Sequence, residues 1–237
     1  MRICLLKCGS IYDNLKDTFV DYDQMFTDVF RKYAPALSFD IYEVYNKIYP
    51  ENPAQYDGFL SSGSLSSVYD PEPWISQYQA FVARLHKEEK KHVGICFGHQ
   101  MIAQALGGRV EKAGQGWGMG IKETMLKQNL PWMNNSTKNP IHLIVSHQDQ
   151  VVQLPENAEV LAGNMHCPVS MFVVGDHTLG IQAHPEFSRE YSRASIERRR
   201  NIVEAQIITE ALDSLSLETD ENLVIHWIEN FFKWKSF

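Results

Sequence analysis

The sequence pivots on Gly94-Ile95-Cys96-Phe97-Gly98-His99-Gln100. Its lead-in, Lys91-His92-Val93, is short and turns apolar, as a buried strand does. Its run-out, Gln100-Met101-Ile102-Ala103-Gln104-Ala105-Leu106, has helical composition and stops at Gly107-Gly108. A strand that turns abruptly into a helix crowds its own backbone, so the turn demands small residues. Gly94 and Gly98 stand two positions either side of Cys96, the spacing of a nucleophile elbow with cysteine in place of serine. That geometry lifts the thiol above a sheet edge, beside a helix N-terminus whose partial positive charge favours thiolate. Thiolate is the form that attacks carbonyl carbon. A small buried apolar residue is the plainer reading of Cys96, but it leaves the two glycines and the strand-to-helix switch unexplained.

A cysteine nucleophile needs a base, and the base needs a group to hold it. The chain has nine histidines, so context must choose among them. Thr178-Leu179-Gly180-Ile181-Gln182-Ala183 reads as a strand running straight into His184-Pro185-Glu186. Pro185 fixes its own φ and biases His184 toward extended backbone, which limits where the imidazole points. Glu186 is close enough to accept the other ring N–H, setting the tautomer and stabilising imidazolium. His99 is the rival base. It opens the helix after the elbow and is expected to point along it, away from the thiol.

Residues 94–100 together with Gln182-Ala183-His184-Pro185-Glu186-Phe187 resemble the class I (triad) glutamine amidotransferase family. Within it the chain looks most like free-standing members similar to the amidotransferase domain of GMP synthase. Phe59-Leu60-Ser61-Ser62-Gly63-Ser64 looks like the family's oxyanion loop, and Ser146-His147-Gln148-Asp149-Gln150-Val151 like the segment lining its glutamine pocket. The resemblance covers about residues 1–195. It implies a catalytic set of Cys96, His184 and Glu186, and an oxyanion hole from the N–H groups of Gly63 and Phe97. It implies Gln100, Ser146 and His147 as grips on the amino-acid end of the substrate, and no metal or organic cofactor. One departure stands out: many members carry Gly-Gly-Pro where this chain has Ser62-Gly63-Ser64, a form also found in related γ-glutamyl peptidases.

The implied reaction is hydrolysis of the γ-amide of glutamine through a γ-glutamyl thioester, with an acceptor (synthase) subunit as candidate partner for the ammonia. A stand-alone γ-glutamyl peptidase acting on glutathione-like compounds is the second hypothesis. A non-catalytic interaction protein of the same fold is the third, and the intact Cys96/His184/Glu186 set argues against it.

Composition sets the outer bounds. The 237 residues suffice for a substantial core. A net charge of −7 disfavours a nucleic-acid surface. Arg198-Arg199-Arg200 is a local cluster, read as a solvated helix face. The four cysteines at 4, 8, 96 and 167 form neither a zinc pattern nor a disulfide framework. Cys4 is expected in the core and Cys8 in a loop. The first apolar run is too short for a signal peptide and no stretch approaches membrane-spanning length, so the expected location is the cytoplasm and no membrane is expected as partner.

Hydrophobic periodicity predicts strands over 2–8, 37–45 and 58–62 and a helix over 20–32. Asp70-Pro71 is expected to cap a long helix bearing Trp74, Ile75, Tyr78, Phe81, Val82 and Leu85. Such alternation implies an α/β fold, a mostly parallel central sheet with helices on both faces, of the flavodoxin-like kind. Ligands of such sheets sit at the carboxyl ends of the strands, where Gly63 and Cys96 both fall. Beyond Gly107, short strands are expected over 109–113, 119–126, 141–146, 151–154, 159–163, 170–175 and 178–183. Residues 114–120 read as a flexible glycine-rich turn, and Trp132-Met133 before Asn134-Asn135-Ser136 as a surface loop tip. From about 188 the chain reads as helical, with Ser188 capping one helix and Thr219-Asp220 another. Residues 196–237 are then a C-terminal helical extension packed on the domain of residues 1–195, its aromatics turned inward.

Overall fold

The computed structural model describes residues 1–134 and 136–235. In chain order it opens with β1 (Arg2–Lys7), α1 (Tyr22–Tyr33), β2 (Ser38–Glu43), β3 (Gly58–Ser61), α2 (Pro73–Lys87), β4 (His92–Ile95) and α3 (Phe97–Ala105). Short strands follow: β5 (Arg109–Lys112), β6 (Gly118–Leu126), β7 (Ile141–His147), β8 (Asp149–Gln153), β9 (Ala158–Gly163), β10 (Met171–Val174) and β11 (Thr178–Ile181). The chain then runs through α4 (Arg189–Glu197), α5 (Ala205–Ser214) and α6 (Glu221–Lys233).

The main sheet has the order β2-β1-β3-β4-β11-β10-β9-β6-β7, and β5 pairs with β8. From β2 to β11 neighbouring strands are parallel, and from β11 to β7 they are antiparallel. Parallel pairs need crossovers, which the early helices supply; the short later strands need only turns. The fold is α/β with a mixed central sheet, its parallel part from β2 to β11 arising from the strand–helix alternation as predicted.

The period of two along β1 assigns the two faces. Ile3 and Leu5 pack with Phe26 and Phe30 of α1 and with Val224, Trp227 and Phe231 of α6. Cys4 and Leu6 pack on the opposite face with Tyr78 and Leu85 of α2 and with Met101 and Ile102 of α3. Each large side chain buried this way contributes about 1.5–3 kcal/mol, so the aromatics of α6 belong to the main core.

Several local expectations are corrected. Cys8 lies in the loop after β1, as expected, but that loop is fully buried there: its N–H donates to Ser62 Oγ at 2.9 Å, which draws it under the β3 loop. Helix α2 begins at Pro73 after Glu72; the Asp70 carboxylate instead accepts from the Ser67 N–H. Trp132 and Met133 are buried rather than at a loop tip, since Trp132 packs edge-on against Phe231 of α6 at 5.4 Å. Asn135 of that loop lies outside the described residues. In the glycine-rich piece only 114–117 lie between strands, and Gly118–Gly120 belong to β6. Gly120 has φ +80°, and a Cβ there would sit 2.5 Å from the Ala211 carbonyl oxygen, so this glycine lets α5 lie on the strand. Ser188 caps α4 as expected, accepting from the Tyr191 N–H at 3.0 Å. Asp220 is the first residue before α6, but its carboxylate accepts from the His142 N–H instead of capping the helix.

Candidate active site

Cys96 sits between β4 and α3 with φ 51° and ψ −98°. That conformation costs a residue bearing a Cβ about 1–3 kcal/mol and persists only where the surroundings impose it. Here they do. The Cys96 N–H donates to the Ile181 carbonyl at 2.8 Å, and its own carbonyl accepts from the Gln100 N–H at 3.0 Å. A Cβ on Gly94 would lie 2.4 Å from the Gly98 carbonyl, and one on Gly98 would lie 2.6 Å from Ser61 Cβ. Both glycines are thus sterically required.

Strand pairing brings the distant histidine to this point. β11 runs parallel beside β4 with Ile181 level with Ile95, so the chain leaving β11 passes the elbow. His184 and Cys96 line the same cleft, both beside Gly63, and the sulfur is near enough to act on the imidazole's charge. On its other side, His184 Nδ1 lies 2.7 Å from Glu186 Oε1, which leaves Nε2 for the thiol. The imidazole also stacks on Phe187, with centroids 3.8 Å apart and planes 8° from parallel. Burial works against the charged imidazole, but the neighbouring Glu186 carboxylate and Cys96 sulfur outweigh it and raise its pKa to about 10. The second carboxylate oxygen of Glu186 is buried with no partner among the described residues.

Gly63 faces both groups: a Cβ there would lie 3.0 Å from His184 Cε1 and 3.8 Å from Cys96 Cβ. Phe97 opens α3 directly after Cys96, its ring packed against both Trp74 and Tyr78, which also stack on each other. Gln100, Ser146 and His147 all line the cleft. Gln100 Nε2 is spent on the Asp149 carbonyl at 2.8 Å and Gln182 Oε1 at 3.1 Å. His147 is buried, its pKa pushed down to about 3 by desolvation and held beside the Asp149 carbonyl. His99 lies elsewhere. It is fully buried, edge-on to Phe172 at 4.9 Å, and desolvation pushes its pKa down to about 3.

The cleft, with a volume of about 350 Å³, is within the range of small-ligand sites. Its lining also includes Tyr12, Trp117, Tyr191, Ser195 and Arg199, to which the sequence reading gave no part in a site. Arg199 corrects the reading of a solvated arginine face. Arg198 and Arg200 are exposed, but Arg199 is only 4% exposed. The three follow the end of α4 in a turn, where consecutive side chains point different ways, so they do not share one solvated helix face. Among the described residues no group of three or more His, Cys, Asp or Glu is placed to hold a metal ion. No described helix is long and apolar enough to cross a membrane.

This elbow, its imidazole–carboxylate pair and the sheet beneath them define a cysteine hydrolase site on an amidotransferase-type fold. The chain belongs to the class I glutamine amidotransferase family, whose sequence model (Glutamine amidotransferase class-I) matches residues 16–202. It is 31% identical to Gamma-glutamyl peptidase 2 of Arabidopsis thaliana over 98% of this chain and 96% of that one. It is 32% identical to the glutamine-hydrolysing GMP synthase of Porphyromonas gingivalis over 60% of this chain but 27% of that one. The crystal structure of a glutamine amidotransferase from Thermotoga maritima shares the fold, with a TM-score of 0.77 and 20% identity over 99% of each chain.

Proposed function

We propose that this protein is a γ-glutamyl peptidase that cuts the γ-glutamyl bond of small peptides through a Cys96 thioester. Cys96 Sγ attacks the γ-carbonyl carbon, and the carbonyl electrons move onto oxygen between the N–H groups of Gly63 and Phe97. Collapse breaks the C–N bond while His184 gives its proton to the departing amine. Water, deprotonated by His184, then attacks the thioester and releases glutamate. Glu186 holds the ring in orientation and balances its charge, and Phe187 fixes its plane. Gln100, Ser146 and His147 bound the end where the glutamyl moiety's own amino and carboxyl groups would lie.

The observation that favours a peptide over free glutamine is the extent of the cleft lining. Besides the residues assigned to the reaction it includes Tyr12, Trp117, Tyr191 and Arg199, room that a departing peptidyl amine would use and ammonia would not. Similarity to a γ-glutamyl peptidase over nearly the full length supports the same reading. Glutamine hydrolysis for an acceptor subunit is the second reading, favoured by the similarity to GMP synthase. Purified protein should release glutamate from γ-glutamyl dipeptides and tripeptides faster than from glutamine, and Cys96→Ala should lose roughly 10⁴-fold or more of that rate. Efficient glutamine cleavage with poor peptide cleavage would reject the proposal in favour of the second reading.

A further inference from the structure

Arg199 is a buried cation with no carboxylate beside it. Its Nη1 donates to the Ser195 carbonyl and to Ser195 Oγ, each at 2.7 Å, and its Nη2 donates to Tyr12 Oη at 3.2 Å. These contacts fix the guanidinium in place without neutralising it. It lies 4.4 Å from the centroid of the Trp117 ring, and Tyr12 is clasped between Arg199 and Arg198. Its Nε–H is buried and unpartnered, and among the described residues no Asp or Glu forms an ion pair with it. A buried guanidinium left without an anion is costly, and breaking such pairs is strongly destabilising where they exist. The group nevertheless lines the same cleft as Cys96. Lys112, exposed at the rim, adds a second positive charge to that wall.

A planar guanidinium with a free N–H, held rigid between aromatic rings, suits a carboxylate. The glutamyl part of the substrate is not the natural source, because the proposed oxyanion and amino-acid grips already place it on the side of Gln100, Ser146 and His147. We infer that Arg199 recognises the free C-terminal carboxylate of the departing peptide, so that the protein prefers γ-glutamyl peptides ending as acids. This specificity rests on the peptidase reading. It makes Arg199 a substrate-binding residue on the leaving-group side, assembled with Ser195 of its own segment and with Tyr12 and Trp117 from two other parts of the chain.

The test compares free acid with C-terminal amide for γ-glutamyl-alanine and for γ-glutamyl-alanyl-glycine. Wild-type kcat/KM should favour the acid by roughly ten- to hundredfold in at least one pair, the range of a charge-assisted hydrogen bond. In Arg199→Met that ratio should fall to within about twofold, and Arg199→Lys, which keeps the charge but loses the fork, should lie between. The ratio is taken within one protein sample, so partial loss of folded material cancels, and the Lys variant stands in if the Met variant does not fold. Equal rates for acid and amide in the wild type, or full discrimination in Arg199→Met, would overturn the assignment. If the wild type cleaves neither peptide, the peptidase reading fails, and calorimetric binding to Cys96→Ala decides Arg199 separately. Acid-selective binding that disappears when Arg199→Met is added sustains carboxylate recognition; equal binding of acid and amide, or none, rejects it.

Discussion

Around Cys96 the backbone permits almost no alternative residue, whereas around Arg199 the fold leaves the outcome to side chains. The elbow is one continuous segment, and its two glycines are required because added Cβ atoms would lie 2.4–2.6 Å from neighbouring main chain or Ser61. The Arg199 wall is gathered from the loop before α1, the turn before β6, and α4 with the residue after its cap. On the proposed mechanism the first region would give the reaction its nucleophile and the second would bound what may leave. Chemistry would then be held by steric necessity, and selectivity by packing that can change without disturbing the sheet.

The steric half of that comparison breaks most severely at Gly94. Gly94→Ala should destabilise the fold by about 3 kcal/mol or more, since the methyl meets backbone that cannot move aside. Urea denaturation reads this as a lowered midpoint at unchanged slope; a loss under about 1 kcal/mol would show the elbow to be looser than its contacts indicate.

A smaller effect is expected at Glu186, where Glu186→Gln keeps the shape but removes the charge that sustains imidazolium. Activity should fall on the order of 10²-fold. His184 has a folded pKa above the ordinary imidazole value, so its charged form contributes stability that is complete below about 6.5 and is lost as pH rises through about 10. Removing the carboxylate lowers that upper value. The alkaline limb of a kcat/KM–pH profile should consequently move to lower pH in Glu186→Gln, and an unmoved limb would detach Glu186 from His184's titration.

The smallest effect belongs to His99, adjacent in sequence to the elbow yet outside the cleft. His99→Met should leave activity per folded molecule within about tenfold, below the hundredfold or greater loss expected for removing a general base. Active-site titration with a thiol-reactive probe supplies the folded fraction. A larger loss would return His99 to the list of candidate bases.

Legibility in the sequence followed the same division. The elbow could be read because its demand is local: small residues at fixed offsets from Cys96, with a strand before and a helix after. The strands beyond Gly107 and the inward aromatics of α6 could be read because periodicity reports burial directly. Trp132 and Met133 were misplaced, and the burial of the Cys8 loop went unread, because burial there depends on partners far along the chain, the Phe231 ring in one case and a Ser62 hydroxyl in the other. The charged run at 198–200 was misread for a similar reason. Composition reports three arginines, but only the helix end and the Tyr12 and Trp117 rings settle which of them turns inward.

By itself, then, the sequence determined the alternation of strand and helix, the strained turn bearing Cys96 and the His-Pro-Glu corner, because each is a short-range consequence of φ restrictions and hydrophobic period. The tertiary structure alone decided that β11 would lie beside β4 and carry His184 to the thiol, that His99 would face Phe172 instead, and that Arg199 would be buried without a counter-charge. Those outcomes depend on which surfaces meet in space. Contact between residues about ninety positions apart is set by strand order and packing, which no local pattern encodes.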